Sequence, residues 1–351
     1  MARVRASWSH CRTVALIWIS SAILFLSLFE MASRNARRLP PPGPGSGMPG
    51  EDQRSRLYDK MERDLDEQGA VFLGGGETSQ SLSLSDIFSV KNGSIAPVLK
   101  AADPPVRATV LHLSTDFSVP ISQAVRSVFL PYFDNVIWFQ NTSLYHFSMF
   151  HASHHLASVP ATEDEIEAEA DAIKAVAEAI CPLKIVLDRV IFTPTGVLLG
   201  CWQVISGTDP LIIRAKLRDA LPHAPQKQFV RRSLSLSLSL SLSLMIVVGL
   251  LFLLFSSLVL ILQYDPVMLH TSFARLLGHP NIPPEEMQKP ISEVQFFHDL
   301  VTRLNSIIHG FEATVSELWF VEELDVLALA LNGRTKVHRF RLGCSTKKTK
   351  P

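Results

Sequence analysis

Between Val106 and Leu342 the apolar residues fall into short blocks with two kinds of spacing. Strand-like runs begin with "VRATVLHLS". A helix is then predicted near Ser118–Leu130, followed by a strand through "VIWFQNTSLYHFSMF". Ile166, Ile173, Val176, Ala177 and Ile180 recur at helical spacing, and Thr162 with Glu165 forms a capping box, predicting a helix from Glu163 to Ile180. Strands "LKIVLDRVIF" and "GVLLGCWQVI" follow. Asp209-Pro210, an N-cap and a first-turn proline, opens the helix "LIIRAKLRDAL". Next come a strand, "PVMLHTSFARLL", and a helix from Glu293 to Ile308, capped by Ser292 with Gln295 and stopped by Gly310. Strands "ELWFVEEL", "VLALAL" and "KVHRFRL" end the series, the last two joined by the hairpin signal Asn332-Gly333. Helix, strand, helix, strand, strand thus occurs twice. The order predicts an α+β domain over residues 106–343, built as two related lobes at about 118–206 and 209–342, with a short tail, 344–351.

Three stretches lie outside this pattern. The uncharged run Thr13–Phe29, at ~1.5 Å per residue, reaches ~26 Å, enough for a thin bilayer. Arg3, Arg5 and Arg12 precede it and Arg34, Arg37 and Arg38 follow. Residues 1–38 are therefore expected to be a retained signal anchor of the endomembrane system, with an organelle transit peptide as the alternative. Residues 39–105, opening with "PPPGPGSGMPG", are expected to be a solvated stalk. The third stretch, "RRSLSLSLSLSLSLMIVVGLLFLLFSSLVLILQYD", interrupts the second copy between its first helix and its motif strand. A membrane helix there would separate the two copies. A TC repeat translates as Ser-Leu-Ser-Leu, valine codons begin GT and a glutamine codon ends in AG, so residues 230–263 fit a retained intron, a second transmembrane helix being the alternative. Amplification across the junction from messenger RNA tests this, and an exclusively long product would argue for the helix.

Composition narrows the partners. Among 351 residues, 33 Lys and Arg balance 33 Asp and Glu, so no overall basic field recruits nucleic acid. Cys11, Cys181, Cys201 and Cys344 are scattered without the spacing of a zinc site. The sequons at Asn92 and Asn141 suit a luminal domain.

Candidate chemistry sits in corresponding strands of the two copies, "SLYHFSMF" and "VMLHTSFA". Residues i and i+2 of a strand share a face, so His146 with Ser148, and His270 with Ser272, each present an imidazole and a hydroxyl together. If the copies pack about a pseudo-twofold axis, the two pairs meet in one cleft. Two histidines flanking a phosphate support acid–base catalysis without a metal, and the hydroxyls hold phosphate oxygens where charge builds up. Two more His-x-Ser matches begin at His112 and His151. His112 lies on an opening strand with no evident counterpart and is expected to be a core or loop residue. His151, His154 and His155 are expected to form a solvated rim. Phe147, Tyr145, Phe273 and Trp202 are expected in the core, with base stacking at a cleft edge as the alternative. Arg275 suits either a phosphate contact or a surface site.

The tandem His-x-Ser pairs resemble the two-histidine (2H) phosphoesterase superfamily, and more closely the plant RNA ligase/cyclic nucleotide phosphodiesterase family, over about Val106 to Leu342. The resemblance implies a bilobal α+β fold and a hydrolase of 2′,3′-cyclic phosphates or RNA 3′-end phosphodiesters. It implies His146 and His270 as acid and base, Ser148 and Ser272 as substrate-binding residues, and no cofactor or metal. The expected partners are a small nucleotide or RNA-end phosphate and, through the N-terminal helix, a membrane; no protein partner is expected. The competing class is a catalytically inactive, membrane-tethered nucleotide-binding or scaffold protein, favoured if a glycan on Asn141 closes the cleft.

Overall fold

A computed structural model describes residues 50–75, 82–91, 94–225, 265–283 and 292–344. The expected anchor, 1–38, and the insert, 230–263, lie outside them. Among the described residues no helix is long and apolar enough to cross a membrane. Counting helices longer than one turn, the elements are α1 (Glu51–Gln68), β1 (Phe88–Lys91), β2 (Ser94–Pro97), β3 (Ala101–His112) and α2 (Thr115–Phe133). Then come β4 (Ile137–Phe139), β5 (His146–Ser153), α3 (Glu163–Glu178), β6 (Leu183–Phe192), β7 (Val197–Ser206) and α4 (Pro210–Ala220). The last are β8 (His270–Leu276), α5 (Glu293–Ile308), β9 (Glu312–Val315), β10 (Glu317–Asp325) and β11 (Thr335–Arg341).

Local chemistry sets the helix ends. The Thr162 hydroxyl and Glu165 carboxylate cap α3 reciprocally, Asp209 caps α4 ahead of Pro210, and Ser292 accepts from the Gln295 amide at the start of α5. Two expectations are corrected. "VIWFQNTSLYHFSMF" is not one strand, because the Asn141 side chain accepts from the Ser143 amide and turns Thr142–Leu144 into a 3₁₀ helix. β4 and β5 therefore end up in different sheets. "VLALAL" is not a strand either: Ala328–Leu331 is a single helical turn whose Leu329 amide donates to buried Glu323. A run of Leu and Ala without alternation carries no strand period, and both residues favour helix.

Besides the two-stranded β1–β2 sheet, two larger antiparallel sheets result among the described residues, in the orders β11-β10-β3-β5 and β4-β8-β7-β6-β9. Strands from the two copies are interleaved. The first copy's motif strand, β5, shares a sheet with β10 and β11 of the second. The second copy's β8 shares one with β6 and β7 of the first. Contiguous lobes at 118–206 and 209–342 are thus corrected to two lobes that each draw on both halves of the chain. The repeat that fits is strand, helix, motif strand, helix, strand: β3-α2-β5-α3-β6 and β7-α4-β8-α5-β10. In it the opening strand β3 has a counterpart, β7, since each lies beside a motif strand.

Helices α3 and α4 pack against the first sheet, α2 and α5 against the second. A single core links these helix-covered faces, from Leu111, Phe147 and Leu318 to Trp202, Phe273 and Phe297. Each sheet keeps its opposite face for other purposes.

The stalk expectation is also corrected over its described residues. In α1, Arg54, Tyr58 and Leu65 are buried at helical spacing, and Phe72 joins the core just beyond. Tyr58 packs with Ile191, Leu199 and Cys201 on the face of the second sheet turned away from α2 and α5. Arg54, fully buried, pairs with Asp209 at 2.9 Å and donates to Gln203 at 3.0 Å. Buried polar groups so matched belong to a folded wall of the domain. At the other end, a disulfide joins Cys181 to Cys344, 163 residues apart.

Candidate functional site

The motif strands place their side chains as the alternation requires. On β5, Phe147 and Met149 are buried, as is Tyr145 just before it, while His146 and Ser148 are half-buried on the opposite face; on β8, Thr271 and Phe273 are buried while His270 and Ser272 are half-buried. Cross-strand register fixes which face this is. His146 and Ser148 lie opposite His112 and Val110, and His270 and Ser272 lie opposite Cys201 and Leu199, all on the faces turned away from α2–α5. β5 and β8, though in different sheets, pack side by side, as the stacking of Tyr145 on Phe273 at 5.7 Å shows.

One cation ties this junction together and a second stands on its site face. Buried Arg214 of α4 donates to the Ser148 carbonyl at 2.9 Å and to the Pro266 carbonyl at 2.7 Å, tying β5 to the segment that enters β8. Burial pushes its guanidinium down to about 10, so it stays charged at neutral pH. Sequence reasoning passed over it; the available signal was an arginine beside Ile213 on the apolar stripe of an amphipathic helix. Arg275 is placed by a β-bulge. Between Leu198 and Leu199 the register skips Phe273, which returns Arg275 to the face of His270 and Ser272. Gly200 permits the bulge, because any Cβ there would collide with the Phe273 ring. The buried Nη1 of Arg275 has no hydrogen-bond partner among the described residues, and burial holds the group down at about 10. It is therefore a pre-placed cation with a free donor, not a solvated surface arginine.

The histidines are neutral at rest. His146 donates Nδ1–H to the Leu144 carbonyl at 2.7 Å; a carbonyl only accepts, so the free lone pair is on Nε2. Burial lowers its pKa, partly offset by that bond. His270 is pushed down to about 3, first by burial and then by Arg214 and His146. An anion between them supplies the missing negative charge and raises both.

The remaining candidates sort cleanly. His112 is not a core or loop residue: it stands beside His146 on the site face, stacked on Trp319 at 3.7 Å, with Nε2 at 3.1 Å from the Ser143 carbonyl. His151 and His154 are buried, correcting the solvated rim, because β5 runs on to Ser153 and the chain folds back through the His154–Ala157 bridge. Their rings lie 4.9 Å apart, with His155 4.1 Å from His154. Among the described residues no His, Cys, Asp or Glu cluster is arranged to hold a metal ion. Tyr145, Phe147, Trp202 and Phe273 are in the core, so none offers a face to a base.

No protein-family model matches the chain, and no curated protein matches it. Solved structures similar to it include TT0787 of Thermus thermophilus, 13% identical over 68% of this chain and 97% of that one, with a TM-score of 0.40. LigT of E. coli, complexed with phosphate, is 11% identical over 68% and 98%, with a TM-score of 0.35. A crystal structure described as a phosphoesterase is 12% identical over 68% and 99%, with a TM-score of 0.33. At such identities and scores the likeness adds nothing to what topology and site geometry establish.

Proposed function

We propose that the protein is a metal-independent phosphodiesterase of the two-histidine kind, opening 2′,3′-cyclic phosphates or cleaving RNA 3′-end phosphodiesters. The observation that supports this reading is that two imidazole–hydroxyl pairs, His146 with Ser148 and His270 with Ser272, sit on strands that pack side by side, with a buried Nη1 of Arg275 that has no hydrogen-bond partner among the described residues. With substrate bound, one imidazole takes a proton from water as its oxygen bonds to phosphorus. The other gives a proton to the ribose oxygen as the P–O bond breaks. The serine hydroxyls and Arg275 stabilise the charge that builds on the non-bridging oxygens. Arg214 contributes by holding β5 and the entry to β8 in register.

An oxidising, luminal setting suits the same reading, supported by the Cys181–Cys344 disulfide and the N-terminal apolar run. A glycan on Asn141 would disturb a side chain already bonded to Ser143 and to Asn332, which weighs against the closed-cleft alternative.

The test is turnover of nucleoside 2′,3′-cyclic phosphates by the full-length chain and by the chain lacking 230–263. Activity that survives EDTA and falls about 10²- to 10⁴-fold in both His146→Ala and His270→Ala is expected. Wild-type rates in the double variant would refute the assignment, and binding without turnover would favour the inactive, tethered protein.

A further inference from the structure

Beyond His146 the site face of the first sheet continues in two ordered rows. Register sets His146, His112, Glu317 and Arg341 side by side across β5, β3, β10 and β11, and sets Ser148, Val110, Trp319 and Arg339 in the next row. Directly opposed residues of antiparallel strands share a face, so both rows look out on the same side as the motif pair.

The chemistry along these rows is not that of an ordinary solvated edge. Trp319 is buried because His112 lies flat on its ring at 3.7 Å and the Arg339 guanidinium sits over it at 4.7 Å. Its indole N–H donates to Glu317 at 2.9 Å, which fixes the ring and occupies the nearest carboxylate. Arg339 and Arg341 are exposed and have no carboxylate partner among the described residues. A guanidinium resting on an indole has lost much of its rotamer freedom in advance, so less is lost when it grips a ligand oxygen. Three strand spacings of ~4.8 Å put β11 ~14 Å from β5, too far for its arginines to serve the reacting phosphoryl group.

We infer that this β10–β11 extension is a second subsite, in which Arg339 and Arg341 hold backbone phosphates of single-stranded RNA whose 3′ end lies between His146 and His270. The inference rests on the phosphodiesterase reading and narrows it from mononucleotides to oligoribonucleotides. Unpaired cations that track a phosphate backbone are the electrostatic half of single-strand binding; Trp319, itself buried, serves here to fix Arg339 and offers no face to a base. The neutral overall charge does not oppose it, since the required field is local.

The experiment measures binding by the full-length chain of two fluorescent ligands, a hexaribonucleotide ending in a 2′,3′-cyclic phosphate and the corresponding cyclic mononucleotide. The wild type is expected to bind the hexamer at least tenfold more tightly. Arg339→Gln with Arg341→Gln is expected to erase that preference while leaving mononucleotide affinity within twofold. The slope of log affinity against log salt should fall by about 1.4, two phosphates at about 0.7 each. Equal wild-type affinity for both ligands, or an unchanged hexamer affinity in the variant, overturns the subsite. Turnover of both ligands, followed separately, judges the phosphodiesterase reading: intact hexamer preference without turnover sinks that reading and leaves the subsite standing.

Discussion

The two motif strands come from one repeat, yet their surroundings have diverged. Beside His146 the neighbouring strand offers His112, and beyond buried Val110 and Trp319 the face ends on exposed Arg339 and Arg341. Beside His270 the same place holds Cys201, buried under α1 with Leu199 and Ile191 against Tyr58. The Tyr58 hydroxyl lies within 2.9 Å of the Trp202 and Leu269 carbonyls and accepts from the Leu269 amide at 3.1 Å, next to His270 itself. Helix α1 covers the β8 side and has no counterpart over β5 among the described residues; under the proposed function the two motif strands would share one phosphate, and substrate would enter from the side that α1 leaves uncovered.

The hardest blow to this arrangement falls where the halves are joined. Arg214→Met keeps the length and apolar contacts of the side chain but strands the Ser148 and Pro266 carbonyls. The expected loss is about 3 kcal/mol of stability, read from urea unfolding, with turnover reduced more than substrate affinity. A variant of unchanged stability would show that the two motif strands hold their register without the arginine. Tyr58→Phe is milder and one-sided. It keeps the ring over Cys201 and removes the hydroxyl, for about 1–2 kcal/mol, and it should slow turnover while sparing hexamer preference. If it weakened hexamer binding instead, the roofed side and not the open one would be the entry.

Much of this was legible in the chain because local chemistry is written locally. The capping residues of α3, α4 and α5 and the alternation within the two motif strands followed from spacing, whereas the order of the repeat did not. What escaped was non-local. Interleaving of strands leaves no mark on element order, and the bulge at Phe273 depends on Gly200 across a strand boundary. The stripe of α1 was hidden by the Pro- and Gly-rich residues that precede it, and its Arg54 looked solvated until Asp209 and Gln203 appeared beside it. Arg214 was invisible for the same reason: a buried cation announces itself only through partners brought from elsewhere.

Acid provides the finest discrimination between the two sides. Burial depresses His146, His151 and His154 on or beside β5, the latter two to about 4 and about 2, and depresses only His270, to about 3, on β8. In the unfolded chain each titrates near 6.5, so below that pH the unfolded state binds more protons than the folded one. Stability is therefore retained above about pH 6.5 and falls as pH drops through it, by about 0.7 kcal/mol between pH 7 and 6 for each of His151, His154 and His270, with His146 acting in the same direction. Three such groups cluster at β5 against one at β8. Hydrogen exchange at pH 5 should accordingly find the amides of Phe147–Ser153 losing protection before those of Thr271–Leu276. His154→Phe should restore part of the difference, since a ring that cannot take a proton costs nothing in acid. Earlier opening of β8, or stability flat from pH 7 to 5, would mean that the histidines of β5 reach water in the folded protein and that the contrast between the two strands is smaller than their packing implies.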